Sequence, residues 1–256
     1  MSAIVDHVIA QVVGLEIRLL ACQARLQAHT DPEALHDLRT SVRRLRSLIR
    51  PLRGLPGVDQ LEDAAKAVGQ LTTPLRDREV LAAHLLKHGY AQAAARRSEL
   101  MIGVFPQVAQ APQVERLLRV LDGFPRFARA AQRQKLLGGL KKRIDKRLAK
   151  QWKQLQKALK DPAHDRHRLR LLIKRVRYAA EAYPQRDRVP APVMARLKKA
   201  QGQLGDWHDL WQWLLRAREE ADLALCVAGW ELALLRAEAR CDRGLDGLLR
   251  MIVRGP

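Results

Sequence analysis

The sequence predicts an all-α protein, and three observations support that fold class. Strong helix formers (Leu, Ala, Arg, Lys, Gln and Glu) dominate the 256 residues, and an apolar fraction of 47% is enough to bury a core. Alternating runs of Val, Ile and Thr, which are typical of strands, are scarce. Turn-forming residues divide the chain into segments of roughly 15–30 residues, a length typical of helical bundles.

The predicted helices are separated by breakers rich in Pro, Gly, Asp and Thr. In chain order the breakers fall at 30–32, 54–57, 72–74, 106–112, 123–125, 161–162 and 184–192. Asp31-Pro32 and Asp161-Pro162 each place a capping residue before a proline, and so predict helix starts. A single, strongly charged helix is predicted over 133–160.

The charge of the chain is large and uneven. Forty-seven Lys and Arg against 27 Asp and Glu give a formal net charge of +20. Residues 131–180 alone hold 17 basic and 3 acidic residues, a surplus of 14. Such a density destabilises a helix unless a partner or ions screen it. We therefore expect a polyanionic partner: nucleic acid, an anionic membrane surface or polyphosphate.

Several classes of protein are excluded by what the sequence lacks. The most apolar stretch, Leu223 to Leu235, is interrupted by Glu231 and is too short to span a bilayer. The first 20 residues lack the pattern of a signal peptide, and three scattered cysteines without CxxC spacing argue against disulfides or a zinc site. The same cysteine pattern fits a reducing cytoplasm, where we expect the protein. We also expect no metal and no cofactor, because no phosphate-binding loop, hydrolase motif or dinucleotide fingerprint is present.

An internal repeat is the most informative feature. The pattern His-x-x-Arg-x-x-x-(Arg or Lys)-Arg-x-Arg occupies 36–46 and again 167–177, an offset of 131 residues. A second pair of similar segments, 73–77 and 205–209, follows at nearly the same offset. Two matches at one offset predict the duplication of a helical half-domain, with residues 1–130 as the first half and 131–256 as the second.

Placed on a helix, each copy of the motif collects its basic side chains within an arc of roughly 80°, next to an apolar face. The first stripe comprises His36, Arg39, Arg43, Arg46 and Arg50. The second stripe comprises His167, Arg170, Lys174 and Arg177. A solvated charged face is the simpler interpretation, but such faces normally mix signs. Because like charges three and four residues apart repel, a repeated stripe favours a site for anions, whose arginines we expect to face solvent.

These paired motifs, together with the second segment of each half, resemble the CHAD domain, the conserved histidine α-helical domain, over nearly the whole chain. The resemblance implies two similar antiparallel helical bundles related by a pseudo-twofold axis. It also implies a basic groove between them that binds inorganic polyphosphate without catalysis. No triphosphate-processing domain, often attached to such domains, fits in this chain, so we expect a stand-alone member. Association with polyphosphate granules is a further expectation.

The resemblance also assigns the anion-binding residues. They are His36, Arg39, Arg43, Arg44, Arg46 and Arg76 in the first half, and His167, Arg170, Lys174, Arg175 and Arg177 in the second. Arg50 joins the predicted set from its place on the first stripe, and His208 joins it from the position equivalent to Arg76. Thr73 stands where the family has glycine, and His208 occupies the slot of Arg76. The charge of the predicted 133–160 helix adds four expected outer contacts: Lys142, Lys146, Lys150 and Lys153.

Several side chains keep two interpretations. Asp77 and Asp209 either orient stripe arginines or form structural ion pairs between helices. His36 and His167 are structural or bind ligand, and the cluster of Trp207, Trp211 and Trp213 belongs to the core or stacks on bases.

For the whole chain, non-specific binding of nucleic acid is the alternative to polyphosphate binding. An enzyme that acts on phosphate esters or polyphosphate is the third interpretation. No membrane partner is expected, and the sequence leaves the oligomeric state open.

Overall fold

The computed structural model confirms the all-α fold class. It describes residues 3–29, 31, 33–163, 165–186 and 189–254, and no strand occurs among them. The chain divides into two compact units, Met1–Ile144 and Asp145–Pro256. The duplication with its border at residue 130, the pseudo-twofold axis and the groove stay predictions. Within the described residues, no helix has the length and hydropathy of a membrane span.

The first unit is a bundle built around its three longest helices. Its elements are α1 (Ala3–Ala28), α2 (Ala34–Ile49), a 3₁₀ turn (Arg50–Leu52), α3 (Val58–Lys87), α4 (Ala91–Glu99), α5 (Val104–Ala109) and α6 (Pro112–Arg133). Helix α1 packs against α2, α5 and α6, whereas α3 packs against α2, α4 and α6. Leu45 and Leu61, both 0% exposed, lie in the core that fixes α2 on α3.

The second unit is built around α9. Helix α7 (Leu140–Leu159) begins at the end of the first unit, and it is followed by α8 (Arg166–Ala182), α9 (Ala191–Arg216), a 3₁₀ turn (Ala221–Cys226) and α10 (Val227–Arg254). Helix α9 packs against both α8 and α10. Leu169 and Ile173 of α8 and Leu204 of α9 are fully buried, so the apolar face of α8 is fixed against α9.

Four of the predicted breaks are confirmed, at 30–32, 54–57, 161–162 and 184–192, because each falls between the end of one helix and the start of the next. Gly57 begins α3 with a positive φ of 72°, which a residue with a side chain rarely adopts. A Cβ atom at Gly57 would also collide with the ring of Phe127 on α6. The sequence therefore needs glycine here both for the turn and for the close approach of α6.

The predicted breaks at 72–74 and 123–125 are wrong, because α3 runs through Pro74 and α6 runs through Pro125. A proline inside a helix costs about 3 kcal/mol. On either side of Pro74, Val68 and Leu81 are 0% exposed, and burying such side chains stabilises by about 1.5–3 kcal/mol each. Packing of the whole helix face therefore outweighs the local cost.

The predicted helix over 133–160 is also wrong in extent, since α6 ends at Arg133 and α7 begins only at Leu140. Gly139 and Lys135 adopt positive φ values of 69° and 61°, which interrupt the helix.

The two predicted helix starts lie a few residues too early. Helix α8 starts at Arg166, where the carboxylate of Asp165 accepts the backbone N–H of His167 at 2.8 Å. Helix α2 starts at Ala34, and Asp31 accepts the backbone N–H of Glu33 at 2.9 Å. Pro32 lies outside the described residues.

Candidate functional site

The first stripe lies on α2, next to the buried face of that helix. Leu38, Val42, Leu45 and Ile49, the apolar side chains between the basic ones, are all buried. His36, Arg39, Arg43 and Arg46 are half-buried beside them. Arg50 lies in the 3₁₀ turn after α2, so the helical part of the stripe ends one turn earlier than the sequence predicts.

Arg39 does not face solvent as expected; it joins α2 to α3. Its Nη1 donates to the hydroxyls of Thr72 and Thr73, at 2.9 and 3.0 Å, and to the carbonyl of Gly69 at 3.3 Å. Thr72 is fully buried, and its own hydroxyl donates to the carbonyl of Val68 at 2.8 Å. The segment before Pro74, which was predicted to be a break, thus supplies the hydroxyl and carbonyl acceptors that orient Arg39.

Other charges surround Arg39. Burial lowers the pKa of Arg39, and the cations Arg43 and Arg76 lower it further. The acidic charges of Asp77 and Glu79 act in the opposite direction. Arg76 itself pairs with Glu79 at 3.0 Å, one helical turn further along α3. The structure therefore brings the predicted residues Arg39, Arg43, Arg76 and Asp77 together, and it adds Glu79, which the sequence analysis missed.

The far end of the first stripe borders a separate, mixed-charge cavity. This cavity of about 410 Å³ is lined by Arg46, Arg53, Asp59, Glu62, Asp63 and Lys66. The guanidinium of Arg53 forms a bidentate ion pair with the carboxylate of Glu62. These hydrogen bonds hold the pKa of the Glu62 carboxyl below its usual range. Arg46 and Arg50 add positive charge to the surroundings of Glu62. Acidic residues therefore offset more of the stripe's positive charge at this end than the sequence pattern predicts.

The second stripe lies on α8 in the same relation to a buried face. Leu169, Ile173 and Val176 are buried, and Arg170, Lys174 and Arg177 are half-buried beside them. Arg177 pairs with Glu181 at 3.3 Å. The guanidinium of Arg177 also lies 4.7 Å above the ring of Tyr178. This end of the stripe is thus partly neutralised.

His208 of α9 approaches the start of the second stripe. The rings of His167 and His208 lie 5.3 Å apart. Burial, together with the positive charges of Arg170, His167 and Lys174, lowers the pKa of His208 to about 4. The slot that Arg76 fills in the first unit therefore holds an uncharged imidazole at neutral pH. Within the described part of the chain, its buried Nδ1 atom has no hydrogen-bond partner.

The tryptophans near His208 do not share one environment. Trp207 and Trp213 are 9% and 8% exposed and belong to the core, and the indole N–H of Trp207 donates to Glu238 of α10 at 3.3 Å. Trp211 is 40% exposed. Its ring lies 6.0 Å from the ring of His208 and 6.4 Å from that of Trp207, within 28° and 13° of parallel. The prediction that these tryptophans belong to the core thus holds for Trp207 and Trp213, whereas Trp211 is exposed to solvent.

The remaining predicted residues lie at the surface or at intermediate depth. Exposed side chains in this set are Arg44, Arg175, His167, Asp77, Lys142, Lys146, Lys150 and Lys153. Asp209 is half-buried on α9, next to His208. Across the described residues, no group of three or more His, Cys, Asp or Glu side chains is arranged to hold a metal ion.

Sequence reasoning missed Thr72, Glu62 and Glu79 as neighbours of the first stripe. One of them had a local signal, since Arg76 and Glu79 are spaced three apart on a helix and can pair. Thr72 and Glu62 had no such signal, because each meets its arginine only through tertiary packing or a turn.

Comparison with known proteins assigns the chain to a family. The family profile described as the CHAD domain matches residues 16–218. Among solved structures, the crystal structure of the CHAD domain from the plant Ricinus communis matches with a TM-score of 0.66 and 21% sequence identity. That match covers 96% of this chain and 90% of the other. No curated protein matches the sequence.

Proposed function

Because the chain belongs to the CHAD family, we propose that it binds inorganic polyphosphate through its two basic stripes. The single observation that supports this most is the repeated arrangement. In both units a helix places His, Arg and Arg or Lys side chains, three and four residues apart, along the edge of its buried face. One such helix is an ordinary charged face, whereas the same arrangement on α2 and α8 favours a shared ligand.

The chemistry of the stripes suits a linear phosphate chain. Arginine keeps its charge at all physiological pH values, and its planar fork donates two hydrogen bonds to one phosphate group. Side chains one helical turn apart lie about 5–6 Å from each other, so successive phosphates can be bound in turn. Arg43 of the first stripe and its exposed neighbour Arg44, which lies off the stripe, are the proposed direct contacts of the first unit. Arg39, bound to Thr72 and Thr73, supplies charge from a fixed position.

We propose binding without catalysis. Phosphoryl transfer or hydrolysis generally relies on metal ions held by acidic side chains. Three acids near the stripes pair with arginines instead: Glu62 with Arg53, Glu79 with Arg76 and Glu181 with Arg177. We expect no phosphate release when long-chain polyphosphate is incubated with the protein and Mg²⁺. Release above that of a heat-denatured control would establish an enzyme.

Nucleic acid is the second candidate, and the formal charge of +20 favours it. The two candidates are separated by competition at one salt concentration. Fluorescently labelled duplex DNA is bound first, and long-chain polyphosphate or unlabelled duplex is then added at equal phosphate concentration. We expect polyphosphate to displace the label at least tenfold more effectively. Equal displacement by both would show a non-specific polyanion binder and contradict the proposal.

The proposal also predicts where the protein is found. A polyphosphate-binding protein should concentrate on polyphosphate granules in cells that form them. A fluorescent fusion that stays evenly distributed in granule-containing cells would contradict this part of the proposal.

A further inference from the structure

An exposed aromatic ring lies next to the cations of the second stripe. Trp211 is 40% exposed, whereas Trp207 and Trp213 on the same helix are 9% and 8% exposed. An exposed tryptophan by itself needs no explanation. Here, however, the ring of Trp211 is close to parallel with those of His208 and Trp207. Trp207 is in turn fixed by its hydrogen bond to Glu238. Trp211 is therefore the solvent-facing ring of an ordered aromatic layer.

The same layer borders positive charge on α8. Between ring centroids, His208 lies 6.0 Å from Trp211 and 5.3 Å from His167. Arg170 and Lys174 are close enough to act electrostatically on His208. The first unit has no matching ring, since Arg76 stands in the slot of His208 and Glu79 in that of Trp211. The second unit thus combines a flat apolar platform with cations.

We propose that the second unit binds nucleoside oligophosphates, with the base stacked on Trp211 and the phosphates on Arg170 and Lys174. One exposed indole can stack one base, which favours a mononucleotide over a single strand with several bases. Ribose carries base and phosphates together, so a single ligand can reach from the platform to the cations across His208. The proposal rests on the proposed function only in that the second stripe binds phosphates in both cases.

Stacking of a base on an aromatic side chain contributes about 1–3 kcal/mol, which corresponds to about 5- to 150-fold in affinity. ATP and inorganic tripolyphosphate carry the same number of phosphates. Tripolyphosphate has the greater negative charge, so electrostatics alone favours it over ATP. A preference for ATP therefore isolates the contribution of the base.

The test measures the affinities of ATP and tripolyphosphate by calorimetry on the full chain, with chelator present, for the wild type and three variants. In the wild type we expect ATP to bind more tightly than tripolyphosphate. Trp211→Leu should weaken ATP about tenfold and change tripolyphosphate less than twofold. Trp211→Phe, which keeps a ring, should retain most of the preference. Phe127→Leu is the matched control, because Phe127 is 41% exposed and lies in the first unit.

A fluorescence measurement keeps the test informative if Trp211→Leu folds poorly. ATP should quench the tryptophan emission of the wild type and not that of Trp211→Phe, whereas tripolyphosphate should quench neither. Equal quenching of both proteins by ATP would overturn the proposal.

The failure of this proposal differs from the failure of the proposed function. If long-chain polyphosphate binds and Trp211→Leu leaves the ratio of ATP to tripolyphosphate affinities unchanged, the nucleotide site is wrong and the proposed function stands. If ATP binds in a Trp211-dependent way and long-chain polyphosphate does not bind, the nucleotide site is right and the proposed function is wrong.

Discussion

At the scale of single residues, the structure separates arginines that hold the fold from arginines placed for a ligand. Arg39 and Arg44 are five positions apart on α2. Arg39 donates three hydrogen bonds to α3, whereas Arg44 is exposed. The sequence predicted the position of Arg39 on the stripe and not its partners, because Thr72 and Thr73 lie more than 30 residues away and meet it only after folding.

Replacing Arg39 should therefore destabilise the protein. In Arg39→Gln the buried hydroxyl of Thr72 loses a charged donor, and we expect the free energy of unfolding to fall by about 1.5–3 kcal/mol. Arg44→Gln removes the same charge from the exposed side of α2, and should change stability by less than about 0.5 kcal/mol. Denaturant unfolding of both variants measures the difference. Equal stability of the two variants would mean that the bonds of Arg39 contribute nothing.

Two histidines should make the protein sensitive to mild acid. Burial, aided by neighbouring positive charge, lowers the pKa values of His84 and His208 to about 4, from the ordinary value of 6.5. The unfolded chain therefore takes up these protons at higher pH than the folded one. The contribution of these two histidines to the free energy of unfolding is therefore fully present above pH 6.5, and it is lost as the pH falls from 6.5 toward 4.

Unfolding free energies at pH 7 and pH 5 test this sign. The double variant His84→Gln/His208→Gln should lose less stability between these pH values than the wild type does. An identical loss in both proteins would show that neither histidine is responsible.

At the scale of elements, the sequence predicts helix faces better than helix ends. The apolar faces of α2 and α8 are buried as predicted, because the 3.6-residue period is a property of every turn. Helix ends depend on whether tertiary packing outweighs the local preference of a helix-breaking residue. Pro74 and Pro125 do not break their helices, whereas α7 begins only at Leu140, after Gly139. Packing of distant side chains decides such cases, and the local pattern does not contain it.

Helix α7 gives an element-scale prediction. Lys142, Lys146, Lys150 and Lys153 are exposed, and we expect them to contact bound polyphosphate. Replacing all four with Gln should reduce the slope of log affinity against log salt by about one for each lysine that contacts a phosphate.

The matched control for α7 replaces four exposed arginines of α6 with Gln. These are Arg116, Arg119, Arg126 and Arg133. Both variants lose four positive charges, so only the position of the charge differs. If the two sets reduce the slope equally, the lysines of α7 act through overall charge and not through contact.

At the scale of the whole molecule, composition and motif predicted the fold class and the family, whereas the structure was needed to choose between the interpretations of the tryptophans in the second unit. The repeat predicted two similar basic sites that differ at a few positions, such as Arg76 and His208. The structure gives them different character: Arg76 with Glu79 in one unit, an uncharged His208 beside an exposed Trp211 in the other. Burial and ring stacking produce this difference, and neither can be read from the spacing of basic residues.

Binding of polyphosphate by both stripes can be tested in a single titration. Long-chain polyphosphate is titrated into the wild type and into two double variants. Arg43→Gln/Lys174→Gln neutralises the equivalent position of each stripe. Arg119→Gln/Arg218→Gln is the control, which removes two exposed charges elsewhere in the two units. We expect the stripe variant to bind more than tenfold more weakly, a loss above about 1.4 kcal/mol. The control variant should stay within about threefold of the wild type, and all three proteins should have similar melting temperatures. A stripe variant that folds and binds polyphosphate as tightly as the control would show that the stripes are not the binding site.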